Sequence, residues 1–400
     1  MTSFLDPARA AAVLERESLD GLLALTLDNV QYLTGFRPWH AGVSGGAAVL
    51  EPSGERTLVV GAWEAARAAA QTRADGTEVF EVPTWIEIDD LEALQAGRTA
   101  VRPKPVQLDL AVSADVVAAA LRRHGLSRGR IGVELDALTA AEASALAGAA
   151  PEVELVDASG AFYDLRAVKH PAEIDLLRRA TRVADAGLDA VLGVDPRGRT
   201  VQELRTRYAA AVHGAALQTP EFAGLTALRA DVTAGGDVAP ATQVDGRRIE
   251  DGQTLWVDYG AELHGYGSDA GRSYAIGEPH PWSERILEAL AAGHAAGVPL
   301  LRAGTPASEV FYATQAAVRD AGLPTYTRGH VGHAAGLGLD EQGPFLAPTE
   351  LRPLEPGMVV CFETPYYVRG LGGHQIEDIY VITGDGAERL TPRPHGLVRL

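Results

Sequence analysis

The 400-residue chain has a single cysteine, Cys361, so it forms no internal disulfide, and a reducing compartment is expected. It has only two lysines, Lys104 and Lys169, which leaves arginine to carry nearly all the positive charge. Positive charge is itself scarce, at 35 basic against 53 acidic side chains and a formal net charge of −18. Neutralising phosphates needs clustered cations, and none appear, so nucleic acid is not an expected partner. No run reaches the roughly 18–20 apolar residues that a spanning helix needs, so a membrane is not expected either. Met1 to Pro7 holds no basic segment leading into an apolar run; no secretory signal is read, and a cytoplasmic location is expected.

What is present describes a folded chain: 46% hydrophobic and 22% charged residues. At this length two domains are expected, divided as 1–160 and 161–400. The first alternates strand-like and helix-like pieces: Ala8 to Arg16 helical, Gly21 to Leu25 and Ala47 to Leu50 extended, then Thr57 to Val60 extended and Ala62 to Gln71 helical. Such alternation predicts an α/β domain with a mixed sheet. Pro171 with Glu173 opens a long amphipathic helix, and Thr200 opens a second. From Thr254 the pattern becomes antiparallel strands between glycine turns, interrupted by helices near 282–296 and 306–321, an α+β domain.

Four segments carry candidate chemistry. Leu255-Trp256-Val257-Asp258 and Gly265-Tyr266-Gly267-Ser268-Asp269 place two aspartates eleven residues apart, which a hairpin makes lateral neighbours. Two carboxylates that close repel one another unless a cation lies between them; alternatively both flank a turn and are exposed. His333, in Gly332-His333-Ala334-Ala335-Gly336, is either a packed core histidine or a ligand approached closely through its small neighbours. In Val359-Val360-Cys361-Phe362-Glu363, alternation puts Val359, Cys361 and Glu363 on one face, and a glutamate buried there must be paired or bound to metal. In Gln375-Ile376-Glu377-Asp378, Gln375 and Glu377 share a face opposite to Asp378; the other reading is an ion pair with an arginine. Four carboxylates and an imidazole form a hard-to-borderline donor set for two divalent ions, manganese first, with cobalt, zinc or iron as alternatives.

This order of Asp258, Asp269, His333, Glu363 and Glu377 resembles the pita-bread metallopeptidases: prolidase, aminopeptidase P and methionine aminopeptidase. Asp20-Gly21 with Asn29 to Phe36 is similar to the creatinase-type N-terminal domain, and Leu165 to Lys169 with Glu173-Ile174 to the start of the catalytic domain. Methionine aminopeptidases usually lack that first domain. The resemblance implies that Asp258 chelates one metal, Asp269 and Glu377 bridge the pair, and His333 and Glu363 bind the second. It further implies that Glu363 shuttles a proton, that the substrate is a short peptide cut beside proline, and that the protein is a homodimer. His40 is a candidate for entering a partner's cleft, or is a surface histidine.

Three substitutions depart from the family pattern. Where His-Glu-x-Pro is usual, the chain reads Asp340-Glu341-Gln342-Gly343. An ionised Asp340 only accepts hydrogen bonds and repels an oxyanion, unless it acts as a base or meets a cationic substrate group. The stretch Val238 to Gln243 lacks an expected histidine, leaving Thr242 or Gln243 as a weaker donor. Gln375 stands where an arginine is usual, with His330, His374 and Arg369 as candidate substitutes; alternation turns His374 away from the metals. The alternative function is therefore a lyase or C–N hydrolase on a small onium compound, with Asp340 as base, as in the similar dimethylsulfoniopropionate lyases. Creatinase works without metal and fits less well, and a binding module requires the ligands to be vestigial.

Overall fold

The computed structural model describes residues 3–86, 91–97, 107–236, 246–338, 341 and 343–400. Asp340, Thr242 and Gln243 lie outside the described residues. The chain divides into two compact units, Met1–Arg166 and Ala167–Leu400, six residues beyond the expected division.

Unit 1 is built on six strands: β1 Gly21–Ala24, β2 Gly46–Leu50, β3 Arg56–Gly61, β4 Glu78–Val82, β5 Gly129–Val133 and β6 Val153–Asp157. Their order is β4-β3-β2-β1-β5-β6, with β1 antiparallel to β2 but parallel to β5, so the sheet is mixed. Asn29 to Phe36, which links two of these strands, falls in a helix, Leu27–Thr34, capped by the Thr26 hydroxyl and closed by Gly35 at φ 72°. A buried Glu134 ties that helix to β5. It accepts from the Thr26 hydroxyl and the Asn29 side-chain amide, both at 2.5 Å, and from the Thr26 backbone N–H at 3.1 Å, and so fixes the capping residue.

Unit 2 adds β7 Leu225–Ala234, β8 Thr254–Leu263, β9 Tyr266–Gly267, β10 Ala270–Ala275, β11 Gly332–Ala334, β12 Val359–Glu363, β13 Tyr366–Val368, β14 Gly372–His374, β15 Ile376–Ile382, β16 Ala387–Arg389 and β17 Val398–Arg399. Nine of them form one sheet with the path β11-β12-β15-β10-β8-β7; β13 and β14 form a separate hairpin. Helices Pro171–Leu192 and Val201–Gln218 start in capping boxes closed by Glu173 and Glu203, as the Pro171 and Thr200 signals predict. Helices Pro281–Gly297 and Ala307–Asp320 occupy the two remaining expected positions.

All four helices pack on one face of the sheet. Leu188, Leu204 and Tyr208 meet Val232, Val257 and Tyr259, while Val310 and Phe311 meet Val360, Phe362 and Tyr380. Since side chains alternate along a strand, the neighbours of these core residues, Asp258, Cys361 and Glu363, project to the opposite face. One face is helix-covered and largely apolar; the other gathers the five candidate ligands. Among the described residues no helix is long and apolar enough to cross a membrane.

Candidate metal centre

The sheet register aligns the site. Asp258 on β8 opposes Gly271 on β10, Gly271 opposes Glu377 on β15, and Glu377 opposes Glu363 at the end of β12. Asp269 precedes Gly271 by two residues and so shares its face; it is one pleat away from Asp258 rather than directly opposite. His333 on β11 opposes Cys361, which precedes Glu363 by two and therefore faces the same way. The five residues read from separate segments thus meet on one surface. Gly271 leaves the middle of this row open: a Cβ there would lie 2.5 Å from Gln375 Cδ.

Ligand atoms of Asp269, His333, Cys361 and Glu377 all lie within 4.8 Å of one another. The His333 ring donates from Nδ1 to the Ala334 carbonyl at 2.9 Å, which leaves the Nε2 lone pair aimed inward, 3.6 Å from Asp269. Burial raises Asp258 and Glu377 well above the ordinary carboxylate range, and repulsion from Asp269 adds to both. Asp258 Oδ1 and Asp269 Oδ1 are buried and accept no aligned hydrogen bond among the described residues. Buried, mutually repelling carboxylates beside an oriented imidazole are a donor set that fits divalent metal.

Two arginines that the sequence pattern does not single out, and Gln375, which strand alternation puts on the face of Glu377, complete the surroundings. Arg229 on β7 lies 3.2 Å from Asp258 and also pairs with Asp269. Burial disfavours its charge, but the two aspartates outweigh burial and hold it firmly protonated. Alternation of Arg229 and Asp231 along β7 toward Asp258 is the signal that would have found it. Arg328 donates to Glu363 at 2.9 Å, and His330 Nδ1 lies 3.4 Å from the same oxygen. Burial lowers the His330 pKa, favouring the neutral ring. Gln375 accepts from the Trp256 indole and donates to Glu377 at 2.8 Å, so it positions a ligand. Arg272 belongs to the opposite face, where it pairs with the buried Asp378.

The other expected residues lie elsewhere. His374 is fully buried, its pKa lowered to about 4 by burial, and Arg369 is exposed in the turn between β13 and β14. Glu341, next to Asp340, is anchored by an ion pair of 2.6 Å with Lys169, both side chains being almost fully buried. A second cluster, His294, Asp378 and His395, brings its ligand atoms together on the helix side of β15. Arg272 pairs with Asp378, and Arg389 lies 2.8 Å from His395, so this cluster is an ion-pair network already supplied with cations.

A mixed α/β unit followed by a sheet that gathers carboxylates and a histidine on its open face defines a metal-dependent hydrolase. The chain belongs to metallopeptidase family M24, whose model matches residues 175–384, and the Creatinase/Prolidase N-terminal domain matches residues 8–168. It is 28% identical over 230 residues to the Xaa-Pro dipeptidase of Pyrococcus furiosus, a match covering 57% of this chain and 64% of that protein. Among solved structures it resembles dipeptidase PepE from Mycobacterium ulcerans, with TM-score 0.77, 30% identity, and 98% and 96% of the two chains covered. It shares the fold of an Xaa-Pro dipeptidase from Bacillus anthracis, with TM-score 0.80, 24% identity, and 98% and 99% covered. The pita-bread architecture and the hydrolase class implied by the resemblance are both met, and the family implies divalent metal ions.

Proposed function

We propose that the chain is an exopeptidase cutting beside proline, an Xaa-Pro dipeptidase or aminopeptidase P, with metal held by Asp258, Asp269, His333, Glu363 and Glu377. The observation that carries this reading is the convergence of Asp269, His333 and Glu377 within 4.8 Å on the open face of the sheet. The Pyrococcus furiosus relative, named for Xaa-Pro cleavage, supports the substrate class. Bound metal supplies an acidified water and a polarised carbonyl. Glu363, held beside Arg328 and His330, would take a proton from water at the site and give it to the leaving nitrogen. Gln375 holds Glu377 in place from the Trp256 side. Manganese as working ion, a homodimer and a cytoplasmic location belong to the same proposal.

Manganese- or cobalt-loaded protein should hydrolyse Xaa-Pro dipeptides or Xaa-Pro-Yaa tripeptides, with Glu363→Gln lowering kcat by about 100-fold or more. Absence of cleavage on both substrate types rejects the peptidase reading. Asp340, an acceptor where the family has a donor, supports one competing reading: turnover of a small onium compound that disappears in Asp340→Ala.

A further inference from the structure

We propose that Arg229 occupies one of the two metal positions, so that this chain holds a single divalent ion beside a fixed guanidinium. The inference rests on the metal centre described above and changes its composition. Two positions are expected from the five ligands, one of them built on the Asp258–Asp269 pair. In the structure the guanidinium of Arg229 already lies against that pair, with Nη2 facing an Oδ1 atom of each aspartate. A guanidinium and a metal ion cannot fill the same space.

The backbone makes the placement systematic. Arg229 opposes Gly260 and Asp231 opposes Asp258 along the β7–β8 ladder, so both β7 side chains stand on the site face. Asp231 adds its negative charge to the repulsion felt by Asp258, which strengthens the demand for a cation at this edge. Arginine suits the position because it stays charged when buried, and here its Nη2 faces both carboxylates.

The ligand atoms that do converge leave out Asp258 and Glu363, each of which faces an arginine. Asp269 gives Oδ1 to Arg229 but turns Oδ2 toward His333, 3.6 Å away, and with His333, Glu377 and the Cys361 thiol it forms one compact set. That set has the size and donor types of one ion, with two carboxylates, one imidazole and a sulfur at hand. The arginine supplies one positive charge where an ion would supply two, and it offers no open coordination position. Water activation is thereby confined to the His333 side of the centre.

The test is a metal count on the full chain, stripped with chelator and titrated with manganese(II), read by calorimetry and by elemental analysis after desalting. Wild type should bind one equivalent and give the paramagnetic spectrum of isolated manganese, without exchange coupling. Arg229→Gln, which keeps a polar side chain and removes the charge, should bind two equivalents and develop exchange coupling. Arg229→Lys, which keeps the charge, should stay at one. Two equivalents in wild type overturn the proposal while leaving a metallopeptidase intact, and this arm stands even if no variant folds. A folded Arg229→Gln that still binds one equivalent overturns it as well. Binding of no metal by wild type overturns the metal centre itself. One bound ion without Xaa-Pro cleavage rejects the peptidase reading and leaves this inference standing.

Discussion

Glu377 and Asp378 are consecutive, and the pleat of β15 sends one carboxylate to the metal centre and the other to the helix side. Asp378 is fully buried and satisfied four ways: by Arg272, by the Thr391 hydroxyl at 2.5 Å, by His395 at 2.6 Å, and by His294 at 3.4 Å. Burial opposes its charge, but hydrogen bonds from the two histidines and the field of Arg272 hold its pKa well below the ordinary range. Asp378→Asn leaves Arg272 charged, buried and unmatched. It should destabilise the fold by about 3–5 kcal/mol in denaturant titrations, the range for one lost partner of a buried pair. A loss below about 1 kcal/mol would show that the network contributes little.

At the scale of elements, the site depends on strands approaching without a side chain between them. Gly271 is the only residue of the Asp258–Gly271–Glu377 row that is not a ligand candidate, and a Cβ there meets Gln375. Gly271→Ala should push Gln375 off Glu377, and removing such an orienting contact typically costs about 10–100-fold in metal affinity or activity. Calorimetric metal titration of the variant checks this, with thermal unfolding as the control for the fold. The row also explains why five weak local signals add up. Each strand delivers one carboxylate or imidazole, and only pairing of the strands makes them neighbours.

Across the whole of unit 2, one buried group outside the metal centre that ties stability to pH near neutrality is Glu173. Burial pushes its pKa from 4.5 up to about 7, although the His170 amide and Tyr266 hydroxyl donate to it at 2.7 and 2.9 Å. A raised pKa means that the folded state holds the proton more tightly than the unfolded chain does. The resulting stability is complete below about pH 4.5 and is lost as pH rises through about 7. Unfolding by urea at pH 5 and pH 8 should therefore show wild type losing roughly 2–3 kcal/mol relative to Glu173→Gln over that interval. An equal pH dependence in the two proteins would place the Glu173 titration elsewhere.

The sequence by itself determined the local features: the helix starts at Pro171 and Thr200, the alternation that separates Glu377 from Asp378, and the spaced carboxylates and histidine of the centre. These follow from capping chemistry and strand periodicity, which act over a few residues. Only the tertiary structure decided the cations. Arg229 lies 29 residues before Asp258 and 40 before Asp269, and Arg328 lies 35 before Glu363, so nothing local links them to the carboxylates they face. Likewise Gln375, which stands where an arginine is usual, is a support for Glu377 because the fold brings Trp256 against it. Charge neutralisation in a buried site is settled by whichever cation the folded strands bring within a few ångströms, and sequence spacing does not measure that distance.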